Sequence, residues 1–488
     1  MRIQNLGPIK NALIDLNKLN VFIGENGTGK TIAAYAIFSF ASWLKFRYVP
    51  SILKEKDIET LIKGKNITHT EQNLQKYFYQ NIPKEFNEMS INHPEYFNDF
   101  FQNEEVFTDK SSITINENDV RAFLIPNIRK HGWYFSWNYQ GLVSQTDENA
   151  SSIDSNENND GQLFNEILST YNVESESVET AFLVNGIGTM SQVDPHSRGE
   201  QLEALKETKG MKRAVESVNR GLKNILFDCE NVYLPAERIG VNVFRSYLNL
   251  TRLNKGINSL VQGSDTSSEI QLEKYARPIE NYISFLNNQL KNPKFSFNSN
   301  FFLSEFWRTR NPRNKDIGKL MHRLVPGNFE YNSEKDAIQY HLPKSEDTVN
   351  FELLSSSLKS IYGLNLFVKN NNIGDWLFCD EPEMNLHPKN QVVVAELLYE
   401  LARSGFKLLL STHSDYFIKA FINFVLEDRI DKDEFSQNIN VYEFKSNSNN
   451  VKKLDNIFNV DAGVDSFDDT TNRINARYYD LLEKLDEE

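Results

Sequence analysis

The sequence contains little cysteine and no long apolar run, and each absence excludes a class of protein. Its two cysteines, Cys229 and Cys379, lie far apart in apolar stretches, which excludes a disulfide framework and fits a reducing compartment. No stretch approaches the roughly 20 apolar residues that a membrane-spanning helix requires. The first residues do not form a basic-then-apolar signal segment either. We therefore expect a cytoplasmic protein.

Basic residues are scarce relative to acidic ones. The 53 lysines and arginines against 67 acidic residues give a net charge of −14, which argues against a general surface for binding polyanions. The densest basic run, 308–315, could contact nucleic acid or an acidic partner, although such runs are more often solvated surface. The sequence also has neither the clustered Cys/His pattern of a zinc site nor a G-x-S-x-G nucleophile turn.

The 488 residues allow two to four domains, and their patterning divides the chain into three parts. Residues 1–48 predict short strands followed by an apolar helix. Residues 49–230 predict a mostly helical insertion, in which the acidic segment 147–162 has almost no apolar residues and predicts a mobile loop. From 231 to 488 short apolar strands alternate with helices. The predicted fold is therefore an α/β head that the insertion interrupts.

Residues 24–31 read Gly-Glu-Asn-Gly-Thr-Gly-Lys-Thr, which is a complete P-loop pattern. Its glycines permit backbone turns that point N–H groups at phosphate oxygens. A chance match is disfavoured because the motif follows an apolar strand and opens an apolar helix. The pattern predicts ATP and Mg²⁺ as cofactors, with Lys30 on the β and γ phosphates and a Thr31 hydroxyl on Mg²⁺. The predicted nucleotide-binding residues are Asn26, Gly27, Gly29, Lys30 and Thr31.

Two acidic residues follow the apolar strand that is predicted over 376–379. A carboxylate at the end of a buried strand can hold Mg²⁺, directly or through water, and this predicts Asp380 as a metal ligand. The next carboxylate, Glu381, can deprotonate the attacking water as a general base. Strands often end in solvated acids, which is the alternative interpretation. The P-loop earlier in the chain and Pro382 directly after the two acids favour the catalytic one.

A histidine follows the next predicted strand, 407–411, and is flanked by Thr412 and Ser414. A lone histidine is more often structural. Because one helix separates this strand from the one before Glu381, His413 is expected at the same edge of a parallel sheet. There its ring can donate a hydrogen bond to the γ-phosphate, which predicts a catalytic switch residue.

These motifs together resemble those of ABC-type ATPases. The resemblance is greatest to the bacterial AAA group related to the overcoming-lysogenization-defect proteins. The segments that carry it are 5–10 (NLGPIK), 24–31, 377–388 (LFCDEPEMNLHP) and 408–414 (LLLSTHS). They lie at the two ends of the chain, and the middle is specific to the family. The resemblance implies a dimer, or a higher oligomer built from it, with ATP at the interface.

The resemblance also implies a signature segment, residues 354–360, in which Ser355, Ser356 and Ser357 contact the γ-phosphate that is bound to the other subunit. Ser357 stands where a glycine is usual, and Leu358 where a polar residue is usual. The alternative is a cluster of serines that caps a helix. Asn385 and His387 would belong to the segment that crosses the dimer interface.

A second segment of the resemblance is 234–238 (LPAER), which in similar proteins precedes an arginine near the nucleotide or the interface. The alternative for Arg238 is a surface ion pair.

The ATPases of two-gene anti-phage systems, of the PARIS and Septu types, are similar to this chain. By that analogy the chain is a sensor or scaffold that controls a partner effector, such as a nuclease. The sequence after His413 is short for a nuclease domain of its own. Its four aspartates suit a solvated acidic tail better than a metal cluster, and they are Asp461, Asp465, Asp468 and Asp469. The alternative function is a DNA-repair or chromosome-maintenance ATPase that binds DNA directly.

Overall fold

The computed structural model places most of the chain in two compact units. The described residues are 1–62, 67–124, 134–141, 165–173, 176–184, 229–248, 275–291, 314–333, 336–371, 373–430, 434–445 and 451–454, with parts of 212–227 and 473–479. Unit 1 comprises 1–41, 85–122 and 230–488, and unit 2 comprises 42–84 and 123–229. The predicted mobile loop 147–162, most of the basic run 308–315 and the four tail aspartates lie outside the described residues.

The described strands are β1 (Arg2–Leu6), β2 (Ile9–Leu13), β3 (Leu19–Gly24), β4 (Ile67–Thr70), β5 (Ser112–Thr114), β6 (Tyr134–Gly141), β7 (Asn165–Val173), β8 (Glu176–Val184), β9 (Asn231–Leu234), β10 (Asn328–Asn332), β11 (Ala337–His341), β12 (Thr348–Asn350), β13 (Trp376–Asp380), β14 (Lys407–Thr412), β15 (Ile439–Phe444) and β16 (Val451–Lys453). The helices are α1 (Lys30–Phe46), α2 (Glu55–Ile62), α3 (Glu71–Asn92), α4 (Pro94–Phe101), α5 (Glu117–Phe123), α6 (Arg277–Lys291), α7 (Asn314–Leu324), α8 (Ser356–Asn370), α9 (Pro388–Arg403) and α10 (Asp415–Ile430). Residues 238–248 are also helical.

A six-stranded sheet forms the centre of unit 1, in the order β16-β15-β3-β14-β13-β9. All of its pairings are parallel except that of β15 with β16 at one edge. Every residue of β3, β13 and β14 is buried. This explains their continuous apolar sequences, because a parallel sheet is covered on both faces. The α/β class that the sequence predicts is confirmed.

Helices complete the core of unit 1. The inner faces of α6, α7, α8, α9 and α10 contribute buried aliphatic and aromatic side chains to one cluster that includes side chains of the central sheet. Two smaller antiparallel sheets belong to the same unit, with the orders β2-β1-β5 and β10-β11-β12. Strands β10 and β11 form an antiparallel hairpin, in which Phe329 lies opposite Tyr340.

Unit 2 contains a four-stranded antiparallel sheet in the order β4-β6-β7-β8. Its described side chains include an edge-to-face pair of Phe78 and Phe227. They also include a reciprocal bond in which the Asn219 amide donates to the Leu53 carbonyl and accepts from its N–H. The predicted insertion, 49–230, therefore contains a sheet in addition to helices.

Residues 85–122, which the sequence analysis assigns to the insertion, belong to unit 1. The reason is pairing of β5 with β1, in which Ile113 lies opposite Ile3, together with a hydrogen bond from the Asn5 amide to the Lys110 carbonyl at 2.9 Å. A three-residue strand that pairs with the start of the chain has no local signal. The boundaries 1–48, 49–230 and 231–488 stay a prediction as domain limits.

None of the described helices has both the length and the apolar character that crossing a bilayer requires.

Gly24 ends β3 where this strand runs beside β15. Its φ is +136°, and a Cβ atom there would lie 2.1 Å from the Phe444 carbonyl oxygen. Gly27 also has a positive φ, +77°, but nothing lies within 4 Å of the corresponding position. Strain and a backbone clash should together cost Gly24→Ala about 2–5 kcal/mol of unfolding free energy, against about 1–2 kcal/mol for Gly27→Ala. Urea unfolding without nucleotide compares them, and equal losses would contradict the close approach of β3 to Phe444.

Candidate functional site

The carboxyl ends of β3, β13 and β14 lie side by side at one edge of the central sheet. Each strand leads into a loop: the P-loop (24–31), the carboxylate loop (380–387) and the histidine loop (412–414). In parallel sheets this edge is where ligands bind. The structure therefore brings the P-loop, the two acidic residues and His413 to one place.

The P-loop wraps around the side chain of Lys30. The Nζ atom donates to the carbonyl oxygens of Gly24 at 2.8 Å and of Glu25 at 2.7 Å. Burial lowers the pKa of Lys30, and the nearby carboxylates of Glu381 and Asp380 oppose this shift. The charged ammonium is thus enclosed by the loop on one side and faces carboxylates on the other.

The mouth of the P-loop is open to solvent at Asn26, Gly27 and Thr31, which are all exposed. Helix α1 begins directly after Gly29, and its first turn is closed by the Ala33 N–H on the Gly29 carbonyl at 2.9 Å. The amino end of a helix and the turning backbone before it both favour an anion. The loop can therefore hold phosphate groups.

The β1–β2 hairpin packs against the P-loop and the first turn of α1. A Cβ atom at Gly29, whose φ is +100°, would lie 2.8 Å from Ile9 Cγ1 and 3.1 Å from Pro8 Cγ. One at Gly7, the turn residue of the hairpin, would lie 2.8 Å from Ile32 Cδ1. The segment 5–10 carries the family resemblance, and this packing is its physical role. The sequence gives no signal for the contact.

Asp380 is the last residue of β13 and is only 2% exposed. The Tyr233 hydroxyl donates to its Oδ2 at 2.8 Å, and the Ser411 hydroxyl donates to its Oδ1. Burial raises the pKa of Asp380 to about 6, although both hydroxyl donors oppose the shift. Each carboxylate oxygen has a second lone pair, so the group can still accept a cation or a water.

Tyr233 and Ser411 were not predicted as site residues. They lie on the strands that flank β13, and the register places Phe378 opposite Tyr233 and Asp380 opposite Ser411. Tyr233 is fully buried and stacks on Phe378, with ring centroids 5.9 Å apart. Only the pairing of three strands brings these side chains together, and that pairing cannot be seen in the sequence.

Glu381 lies opposite His413 at the open side of the site. Its Oε1 is 3.4 Å from His413 Nδ1, and the side chains are 31% and 42% exposed respectively. The close His413 ring is the largest cause that lowers the pKa of Glu381, and the same contact raises the pKa of His413. The two groups favour each other's charged form. The structure thus places His413 at the edge that the order of strands predicts.

Glu381 also has an unusual backbone conformation. Its φ is +47°, in the left-handed region that few non-glycine residues adopt. Its N–H donates to the Ser411 carbonyl at 2.8 Å, which ties the start of the carboxylate loop to β14. This contact turns the Glu381 side chain away from the strand direction and towards the histidine loop.

Arg238 is 2% exposed and contacts the backbone of the carboxylate loop. Its guanidinium donates to the carbonyl oxygens of Asp380 and Glu381, both at 2.7 Å. It also donates to the Ser360 carbonyl at 3.1 Å and to the Ser360 hydroxyl at 3.0 Å. The alternative of a surface ion pair is wrong, because the side chain is buried among backbone carbonyls.

The signature segment caps and anchors α8. The Ser355 hydroxyl accepts the Leu358 N–H at 3.4 Å, so this serine is the N-cap residue. The Ser357 hydroxyl donates to the Asn385 carbonyl at 2.8 Å. Ser355 and Ser356 are exposed at the amino end of the helix. Among the described hydrogen bonds, these serines join their own helix and the carboxylate loop, and no P-loop residue is a partner.

The donor set at the edge fits Mg²⁺ and a nucleotide. Mg²⁺ prefers hard oxygen ligands, and the Thr31 hydroxyl and the Asp380 carboxylate are of that kind. The free lone pairs of Asp380, its buried position and the enclosed ammonium of Lys30 suit a cation beside phosphate oxygens.

The raised pKa of Asp380 has a consequence for stability. Its pKa is about 6 in the folded chain and about 3.9 when unfolded. The carboxylate therefore destabilises the fold increasingly as pH rises from about 4 to about 6. In EDTA without nucleotide, Asp380→Asn should raise the unfolding free energy near pH 7 by about 1–3 kcal/mol, and the gain should vanish towards pH 4.

Urea unfolding across this pH range measures the effect. Asp316→Asn is the matched control, because Asp316 is exposed and forms a surface ion pair with Lys319. That control should change the unfolding free energy by less than about 0.5 kcal/mol. An Asp380→Asn variant that is less stable than the wild type near pH 7 would show that the buried charge is fully compensated.

Comparisons with known proteins give a family. No curated protein matches the chain. The chain is similar to the Smc head domain of Pyrococcus furiosus, with an extended coiled coil and bound to the C-terminal domain of ScpA. That likeness has 13% identity and a TM-score of 0.29 over 97% of this chain and 98% of that one. It is also similar to the SMC head domain of Thermotoga maritima, with 10% identity and a TM-score of 0.27 over 93% of this chain and 96% of that one.

The family model described as the AAA ATPase domain matches residues 1–418. This match covers most of the sequence and confirms the predicted class of ATP-binding ATPase: the chain belongs to the AAA ATPase domain family.

Proposed function

We propose that the chain hydrolyses ATP, with Mg²⁺, at the edge where its three loops meet. The observation that carries the proposal is the convergence of Lys30, Asp380, Glu381 and His413, with Glu381 Oε1 only 3.4 Å from His413 Nδ1. In P-loop enzymes such groups act by positioning and charge stabilisation, without a covalent step.

Lys30 and the amino end of α1 bind the phosphates in this proposal. The Lys30 ammonium exchanges the Gly24 and Glu25 carbonyl oxygens for β and γ phosphate oxygens, which are better partners because they are charged. The backbone N–H groups of Gly27 and Gly29 and the exposed side chain of Asn26 line the same mouth. Thr31 and Asp380 hold Mg²⁺, which when bound neutralises charge on the phosphates.

Glu381 takes a proton from the attacking water, and His413 senses the γ-phosphate. The lowered pKa of Glu381 keeps this carboxylate ionised near neutral pH, so it can accept a proton. The raised pKa of His413 favours the imidazolium, which can donate a hydrogen bond to an anionic phosphate. The His413 ring contacts the Glu381 carboxylate, and an imidazolium at this place can also donate to a γ-phosphate oxygen.

The working unit in this proposal is a dimer, or a higher oligomer built from dimers, with ATP between two copies. Ser355 and Ser356 are exposed at the amino end of α8, where a helix favours an anion. Asn385 and His387 are exposed on the carboxylate loop, and the Ser357–Asn385 bond ties that loop to the signature segment. These residues therefore suit one surface that meets the nucleotide of a second copy.

The biological role that we propose is that of a sensor or scaffold in a bacterial anti-phage system, controlling a partner effector that is a nuclease. The support is the resemblance of four sequence segments to such ATPases, and the warrant is analogy. The cytoplasm is the compartment that fits this role. No observation specifically favours the alternative of a DNA-binding repair ATPase, and the net charge of −14 disfavours direct binding of DNA.

Glu381→Gln tests the hydrolytic role. The amide keeps the shape of the side chain but cannot take a proton, so turnover should fall by about 10²–10⁴-fold while ATP binding persists. Turnover is measured by phosphate release and binding with a fluorescent ATP analogue. Glu396→Gln, at a partly exposed position on α9, is the control and should leave both unchanged. Turnover by Glu381→Gln at the wild-type rate would contradict the assignment of Glu381 as the general base.

Mixing two inactive variants tests the composite site. Lys30→Ala disables the P-loop of its own subunit. Ser356→Glu places a negative charge opposite the γ-phosphate of the other subunit, and it suits the amino end of α8, so the fold should be intact. Each variant alone should lack turnover, and the mixture should recover part of it, because one of the two sites in a mixed dimer combines an intact P-loop with an intact signature segment. No recovery would contradict nucleotide binding between subunits.

A further inference from the structure

Glu383 is buried close to Glu381, yet the proposed hydrolysis gives it no task. Its side chain is 4% exposed. Oε1 accepts a hydrogen bond from the Thr412 hydroxyl at 2.6 Å and another from the His413 backbone N–H at 3.3 Å. One carboxylate oxygen of the carboxylate loop thus holds two successive residues of the histidine loop.

Thr412 extends this contact along the histidine loop. It is fully buried as the last residue of β14, and its hydroxyl oxygen accepts the Ser414 N–H at 3.1 Å. The hydroxyl that donates to Glu383 therefore also fixes the residue after His413. Glu383 and Thr412 together determine the backbone on both sides of the histidine.

A second bridge joins the same two loops through Gln391 of α9. Its Oε1 accepts from the Ser414 hydroxyl at 2.6 Å, and its Nε2 donates to the Leu386 carbonyl at 3.0 Å. The histidine loop is thereby fastened to the carboxylate loop at two points, one on each side of His413. Of the two bridging side chains, only Glu383 bonds to His413 itself.

The other oxygen of Glu383 makes a purely stabilising role costly. Oε2 is buried and has no hydrogen-bond partner among the described residues. An unsatisfied buried carboxylate oxygen lowers stability. An acidic side chain placed here at such a cost points to a demand for position, and the position that it determines is that of His413.

We propose that Glu383 is a positioning residue for ATP hydrolysis, which fixes the histidine loop so that His413 faces Glu381 and the γ-phosphate. This inference rests on the proposed function. Glu383 touches neither nucleotide nor water in it and acts only through Thr412 and His413. We call the hydrogen bonds from the Thr412 hydroxyl and the His413 N–H to Glu383 Oε1 the clamp. A displacement of about 1 Å in a catalytic group can cost about 100-fold in rate, so loss of the clamp should lower kcat and leave ATP affinity intact.

Four single variants test the clamp. Glu383→Ala removes the acceptor, and kcat should fall about 10- to 100-fold while KM and the Kd for ATP change less than about three-fold. Glu383→Gln keeps an amide oxygen at the same place and should retain most of the turnover. Thr412→Val removes the hydroxyl and should also lower kcat, whereas Thr412→Ser keeps the hydroxyl and should restore it. If Glu383→Ala fails to fold, the matched Thr412 pair still decides. Equal turnover in Thr412→Val and Thr412→Ser would overturn the proposal.

A double-mutant cycle with His413→Ala separates positioning from other effects. Single-turnover hydrolysis is measured for the wild type, Glu383→Ala, His413→Ala and the double variant. Because Glu383 acts through His413, Glu383→Ala should cost less than about two-fold when His413 is already absent. The same 10- to 100-fold loss in both backgrounds would overturn the positioning role but leave the proposed function standing. If His413→Ala hydrolyses ATP like the wild type, the role of His413 itself is wrong and the inference falls with it.

Discussion

Parallel pairing of β3, β14 and β13 is the constraint on which the site depends. Parallel strands in register end at the same level, so the loops after neighbouring strands start about 5 Å apart at one edge. Each motif is separately ordinary: a turn rich in glycine, two acids, a histidine. The sheet turns them into one arrangement, because the chain returns to the same edge after each crossover. Every residue in these three strands is buried, so the strands that carry the loops are packed on both faces.

Hydrogen bonds hold the three acidic residues of the carboxylate loop in different positions at this edge. Asp380 is held by hydroxyls from the strands on either side, and Glu381 by a backbone bond to β14. Glu383 reaches over to the histidine loop. Three acidic residues of one short loop therefore have three environments: buried and hydroxyl-bonded, half-exposed beside a histidine, and buried in a clamp. Burial raises the pKa of Asp380 and of Glu383, whereas the histidine lowers that of Glu381.

Much of the head could be predicted from local patterns. The apolar runs of β3, β13 and β14, the P-loop and the helix after it all have signals within a few residues. Tyr233 could not be recognised, because its role depends on a pairing of strands more than a hundred residues apart in the sequence. Thr412 could not be recognised either, because its role depends on a contact with the loop after a neighbouring strand. The same reason explains why β5, paired with β1, was assigned to the insertion. The sheet of unit 2 was missed because its strands lie in a segment with mixed patterning.

The Arg238 guanidinium has a consequence for how natural variation in such chains is interpreted. Its acceptors are the backbone of Asp380 and Glu381 on one side and Ser360 of α8 on the other. Ser360, in the second turn of α8, is therefore joined to the end of β13 by a single side chain, although the two are separate along the chain. A substitution at Ser360 would reach the backbone of Asp380 and Glu381 through the cation that they share. Variation in such chains is therefore best compared over strand end, arginine and helix together, rather than motif by motif.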